Sequence, residues 1–308
     1  MAFRLNRPEP LDREVRRIVR ERLESAAGAL AQRDENLHEG VHDARKRFKE
    51  IRAVIRLARD SLGARAKMEN AWYRDAGRSL SGLRDAQALI EACDALAERS
   101  EPASDRLLVV VREWLQARLD DRERAMHDIE RQTGTLREAL LGARRRVSYW
   151  HLQAFDRDAL SRGYARLYRR GQRAYRETVE APGDVAFHEW RKRVKDHWYH
   201  TRLLAPAWAA PLEARHAELK TLSDLLGDEH DLSVLRDTLL ADGGELLGGG
   251  AAQALLARIG RRQGELRALA QALGARIYAE PADGLRQRVL GYLDAWASEL
   301  PAPRRAGA

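Results

Sequence analysis

The chain has 308 residues, 44% of them hydrophobic and 33% charged, which is enough apolar content for the core of one large or two modest domains. Lys and Arg number 55 against 47 Asp and Glu, a net charge of +8; that excess is compatible with a polyanionic partner, and clustering of the charge decides its meaning. A single cysteine, Cys93, excludes a disulfide framework, and the longest apolar run, Leu107 to Val111, is far short of a membrane span.

Helical periodicity runs through nearly the whole chain, and no Val/Ile/Thr-rich alternating stretch suggests a sheet, so the predicted fold class is all-α. Pro8 and Pro10 precede a first helix near 11–32. A second is predicted from 41 to 62, ending at Gly63, and a third over 64–99 with a break near Gly82. Ser104 is placed to cap a fourth helix reaching 132, and Gly134 separates it from a segment ending at Trp150. Cys93 falls in the third of these and reads as a small buried or half-buried thiol. The plan then repeats: 157–180, Pro182-Gly183, 185–205 closed by Pro206, and shorter segments at 211–226 and 232–240. The glycine-rich stretch 242–250 reads as a flexible loop. Two last helices, 251–278 and 282–300, lead to a Pro/Arg/Ala tail, 301–308, expected to be disordered. With no apolar N-terminal segment, the chain reads as soluble and cytoplasmic.

The two halves are related by a shift of 146 residues. It aligns His42-Asp-Ala-Arg45-Lys46-Arg47-Phe-Lys49 with His188-Glu-Trp-Arg191-Lys192-Arg193-Val-Lys195. Without a gap, the same shift pairs Arg56 with Arg202, Leu80 with Leu226, Asp85 with Asp231 and Leu89 with Leu235. Backwards it pairs Asp12, Arg16 and Arg20 with Asp158, Arg162 and Arg166. A register held from Asp12 to Leu89 is an internal duplication.

At 100° per residue, Arg45, Lys46, Lys49, Arg52 and Arg56 all fall within about 80° of His42. Val41, Ala44, Phe48, Ile51 and Ile55 occupy a separate apolar arc. From Arg45 to Arg56 the cationic stripe runs roughly 16 Å. His188, Arg191, Lys192, Lys195 and Arg202 make the second stripe, where Trp198 and Tyr199 replace Arg52 and Ala53. Exposed helix faces ordinarily mix charge signs, because like charges one turn apart repel. A row of one sign calls for a bound anion or for acids from neighbouring helices. Arg16, Arg20, Arg162 and Arg166 are candidate reinforcements, as is the matched pair Arg74 and Lys220; Arg170 and Arg173 continue the stripe of Arg162 and Arg166. Guanidinium forks grip phosphate oxygens in pairs, and a repetitive polyanion offers each cation a new unit. His42 and His188 are read as opening their helices, with backbone N–H groups aimed at the anion. Binding is then expected to strengthen as pH falls through the histidine range; a bond from each histidine to Asp85 or Asp231 is the competing role.

This pattern, V/F-H-x-x-R-K-x-x-K, duplicated and followed 43 residues after each histidine by an aspartate beside leucine (Leu83-Arg84-Asp85-Ala86 and Glu229-His230-Asp231-Leu232), resembles the CHAD family, the conserved-histidine α-helical domains. The resemblance implies a domain over about 10–300, with one repeat at 11–150 and another at 156–300. It further implies two four-helix-bundle-like repeats about a pseudo-two-fold axis and a basic central cavity or groove that binds inorganic polyphosphate. It carries the binding role to His42, Arg45, Lys46, Lys49, Arg52, Arg56, His188, Arg191, Lys192, Lys195 and Arg202, and more weakly to Arg16, Arg20, Arg74, Arg162, Arg166 and Lys220. Trp198 departs from the basic pattern. Members are often fused to a triphosphate-tunnel (CYTH) domain, whose E-x-E-x-K signature is absent here, so no catalysis and no cofactor are expected. Polyphosphate or storage granules are one expected location.

Two other readings compete. A nucleic-acid or anionic-surface binder would share the electrostatics, and stacking aromatics on the basic face would favour single strands. His38-Glu39-Gly40-Val41-His42 matches the zinc motif H-E-x-x-H of a metal-dependent hydrolase. Gly40, and a helix predicted to start at 41, argue against it, and no third ligand is indicated.

Overall fold

A computed structural model describes residues 3–32, 37–80, 82–98, 105–124, 129–244 and 250–299. Among these residues the regular structure is entirely helical. The elements are α1 (Leu11–Ala29), α2 (Leu37–Leu57), α3 (Arg59–Leu62), α4 (Ala64–Arg78), α5 (Gly82–Ala97) and α6 (Asp105–Arg124). They continue with α7 (Ile129–Ser148), α8 (Arg157–Glu180), α9 (Asp184–Leu204), a 3-10 turn (Ala205–Ala207), α10 (Ala209–Asp242), α11 (Gly250–Ile277) and α12 (Ala282–Glu299). No helix among the described residues is long and apolar enough to cross a membrane.

Each helix buries one stripe. On α2, Val41, Ala44, Phe48, Ile51 and Ile55 are buried as the periodicity predicts. They face α1 and α4, where Phe48 meets the Tyr73 ring at 6.3 Å between centroids. Helix α7 closes this group from the far side: the Arg146 guanidinium lies over the Trp72 ring, 4.7 Å from its centroid. A second group joins α8, α9, α12 and the first part of α10, and α2 touches both α8 and α9. Asp156 caps α8 by accepting a 2.7 Å bond from Ala159 N. A separate apolar cluster gathers Leu89, Ile90, Leu96, Val111, Leu115, Leu235, Leu239, Ile259 and Leu266 from α5, α6, α10 and α11. Cys93 is buried within it, and burial pushes its thiol up to about 11.

Several predicted boundaries differ from the observed ones, for physical reasons. Helix α2 begins at Leu37, not 41, and runs uninterrupted through Gly40. The glycine is there because a Cβ would run into the Ala29 carbonyl oxygen, where α1 ends. Gly134 lies inside α7 and separates nothing. The two segments predicted at 211–226 and 232–240 are one helix of 34 residues. Pro211 is tolerated in its first turn, where N–H groups have no intrahelical acceptor. Ser104, most of the stretch 242–250 and the 301–308 tail lie outside the described residues, as does the Asp85 side chain.

Candidate functional site

The apolar stripes of α2 and α9 turn inward, which leaves their cationic arcs facing one cleft of about 1740 Å³. From α2 it is lined by His42, Arg45, Lys46, Lys49, Arg52 and Arg56; from α9, by Arg191, Lys192, Arg193, Lys195, Asp196 and Tyr199. Arg59 and, on α4, Lys67, Asn70 and Arg74 add a third side, and Arg166 and Arg170 of α8 complete the cationic walls. Asp224, Asp228, His230 and Asp231 of α10, the helix packed on α9, and Glu91 of α5 also line it, with Asp60 at α3. The described lining thus carries fourteen Lys and Arg against six Asp and Glu, an excess of eight.

Packing fixes the cations in place. Asn70 Oδ1 accepts from Arg52 Nε and from Arg56 Nη1, both at 3.2 Å, holding two guanidiniums side by side. Burial and the neighbouring Arg56 bring Arg52 down to about 10, still charged at neutral pH. Arg56 Nη2 pairs with Asp196 Oδ1 at 2.5 Å, and Arg166 donates to the Arg56 carbonyl at 3.0 Å. Burial also lowers Arg191 and Arg170. Lys195 is the most perturbed lysine described: burial, then Arg191 and Lys49, hold it at about 7.

The matched histidines sit differently from the prediction. They occupy the second turns of helices that begin at Leu37 and Asp184, so neither opens its helix and the open N–H groups lie a turn away. His42 is exposed and faces the cleft. The His188 ring lies against that of His230, Nδ1 to Nδ1 at 3.3 Å, one residue before the Asp231 considered as its partner. Burial, Lys192 and Arg191 lower His188; His230 falls to about 4 through burial, Arg191 and His188.

Of the seventeen site residues expected from sequence, eleven line the cleft: the six of α2 with Arg74, Arg166, Arg191, Lys192 and Lys195. His188, Arg202, Arg16, Arg20, Arg162 and Lys220 are not among its lining residues. Arg16 bridges Asp12 at 2.5 Å and the Trp150 carbonyl at 2.8 Å. Arg20 reaches Ser148 Oγ at 2.9 Å, Arg162 pairs with Asp158, and Lys220 pairs with Asp224 at 2.6 Å. Arg202 pairs at 3.4 Å with Glu50, a fully buried carboxylate that also takes Arg22 and Arg47. Trp198 does not line the cleft; it stacks on His216 with centroids 5.3 Å apart. Sequence reasoning missed Arg59, Lys67, Asn70, Arg193, Asp196 and, Asp231 apart, the acids of α10. Arg193 lies about 140° from His188 on the helical wheel, Asp196 is an acid about 80° away at the edge of a cationic arc, and the others come from helices with no stripe to mark them.

The continuity of α2 through Gly40 removes one argument against the H-E-x-x-H reading. Glu39 is exposed and the His38 side chain lies outside the described residues. Among the described residues no group of three or more His, Cys, Asp or Glu side chains is placed to hold a metal. A CHAD domain model matches residues 17–240. No curated protein matches the chain. With a cationic cleft built on its duplicated histidine motif and that match over most of its length, the chain belongs to the CHAD-domain family.

Proposed function

We propose that the cleft binds inorganic polyphosphate and performs no chemistry on it. The carrying observation is the concentration of charge: the fourteen-to-six lining leaves an excess of eight, and the whole chain's net charge is also +8. The remaining Lys and Arg are balanced one for one by acids, so the cleft is where a polyanion gains most. A linear polyphosphate presents a charged unit every few ångströms, which suits rows of guanidinium and ammonium groups on several helices. Two four-helix-bundle-like repeats about a pseudo-two-fold axis form the cleft in this reading, which takes the domain as 10–300. Reciprocal ion pairs support it: Arg56 of the first half pairs with Asp196 of the second, and Arg202 with Glu50. Under the shift of 146 those two pairs are equivalents of one another. The binding set is then the eleven lining residues with Arg59, Lys67, Arg170 and Arg193. A cytoplasmic location, on polyphosphate granules where these exist, follows from such binding.

Nucleic acid is the weaker partner for a specific reason. Among the described lining residues Tyr199 is the only Phe, Tyr or Trp. Its buried ring packs edge-on to Phe3 at 6.1 Å, so the cleft offers no stacking platform for bases. Competition between long-chain polyphosphate and RNA or DNA of equal charge, at about 150 mM salt, tests the assignment; preference for nucleic acid overturns it. The Lys49→Glu/Lys195→Glu double variant should weaken polyphosphate binding by more than about tenfold per reversed charge, with helicity by circular dichroism unchanged. Normal binding by that variant removes the cleft from consideration.

A further inference from the structure

Among the described lining residues, Asp196 is the only carboxylate that α2 and α9 contribute. It lies among guanidiniums: Arg56 at 2.5 Å, Arg193 at 3.9 Å, and within the field of Arg52 and Arg170. Its counterpart in the first half, Glu50, makes the corresponding contacts to Arg202 and Arg47, with Arg22 as a third. The two differ in access. Glu50 is 0% exposed and is not among the residues that line the cleft. Asp196 is 6% exposed and opens onto it. The first pair is therefore sealed, whereas the second can be contested by anything anionic that enters.

We propose that Asp196 is a resident counter-ion: it occupies the arginine cluster on the floor of the cleft, and an entering phosphate group takes Arg56 from it. This rests on the polyphosphate reading of the cleft and adds a residue that sets its affinity. A side chain carboxylate and a phosphate oxygen offer guanidinium the same acceptor geometry, so the two are alternatives at Arg56. Without ligand, Asp196 screens repulsion among Arg52, Arg56, Arg170 and Arg193, which stabilises the unliganded protein. With ligand, that same charge faces phosphate and opposes binding. Stability and affinity thus respond in opposite directions to its removal.

Asp196→Asn keeps the shape and an acceptor oxygen while deleting the charge. Expected are a melting temperature several degrees lower without ligand, and long-chain polyphosphate bound about tenfold tighter, equivalent to about 1.4 kcal/mol. Its salt dependence should steepen by about one phosphate contact. Glu50→Gln is the comparator: its melting temperature falls too, but affinity stays within about twofold. A carboxylate that merely positions Arg56 would give the other sign, with lower stability and equal or weaker binding; that result overturns the proposal. Should Asp196→Asn not fold, Asp196→Ser repeats the measurement; failure of both makes the carboxylate a structural requirement and also overturns it. Absence of polyphosphate binding by the unaltered protein sinks the function itself, whereas binding that Asp196→Asn does not tighten sinks only the resident counter-ion.

Discussion

Lys195 alters the pH dependence that the paired histidines suggest. Its pKa of about 7 lies well below the lysine value of about 10.4 expected unfolded. Over that interval the unfolded chain carries a proton the folded one lacks, so stability without ligand declines as pH falls from about 10 to about 7 and then levels. A bound polyanion favours the charged ammonium, so binding takes up a proton in the same interval. Affinity for long chains, whose terminal phosphates are a negligible fraction, should be flat between pH 6 and 7. It should then fall by up to about tenfold per unit above pH 7. Isothermal titration from pH 6 to 9 checks this, and Lys195→Gln should flatten the profile. A midpoint near 6.5 that survives Lys195→Gln would instead return the effect to His42. The histidine expectation weakens for His188 because burial and two adjacent cations already disfavour its charge. Sequence placed Lys195 in the right arc beside Arg191, but its depression comes first from burial, then from Arg191 and from Lys49 of α2, and neither the burial nor Lys49 is revealed by spacing within α9.

At the scale of the helices, α2 and α9 were the most legible parts, since a continuous apolar arc beside a continuous cationic one fixes which face turns inward. Helix α10 was the least. Leu212, Leu219, Leu222 and Leu226 enter one apolar cluster, while Leu232, Leu235 and Leu239 enter another. Its buried face changes partner near Gly227, and a single period therefore reads as two segments. Gly40 misleads in the same manner, because a close approach looks like a helix break. Gly163 on α8 makes an equally close approach inside a helix read as unbroken: a Cβ there would run into the Leu57 carbonyl oxygen, at the end of α2. Arg166, one turn on, bonds the carbonyls of Arg56 and Leu57. Gly163→Ala should therefore cost about 1–3 kcal/mol and force α8 away from the cleft floor. Gly260 on α11 has open space around it, so Gly260→Ala should add about 0.5–1 kcal/mol through helix propensity alone. Thermal unfolding of the two variants measures both, and a stabilised Gly163→Ala would refute the close approach.

Across the whole molecule, a repeated register is read in the sequence as far as Leu235, whereas the part played by α11 and α12 comes from packing. The family match ends at 240, yet the later helices are built into the same structure. Helix α12 packs on α8, and α11 on α10. Tyr168 of α8 donates to the carbonyls of Ile277 and Glu280 at 3.1 and 2.8 Å, and Gln271 to that of Thr178 at 2.9 Å. Ile259, Leu266, Ile277, Tyr278, Leu285, Val289 and Leu293 are all buried. At about 1.5–3 kcal/mol for each such side chain, the seven contribute roughly 10–20 kcal/mol, an upper estimate because unfolded chains are partly compact. That is comparable to the entire stability of an ordinary domain, about 5–15 kcal/mol. Deleting residues 244–308 should therefore abolish cooperative thermal unfolding, and with it polyphosphate binding, although none of the described cationic lining residues is removed. A truncated chain that melts cooperatively and still binds would confine the functional domain to the first 243 residues and make α11 and α12 an accessory layer.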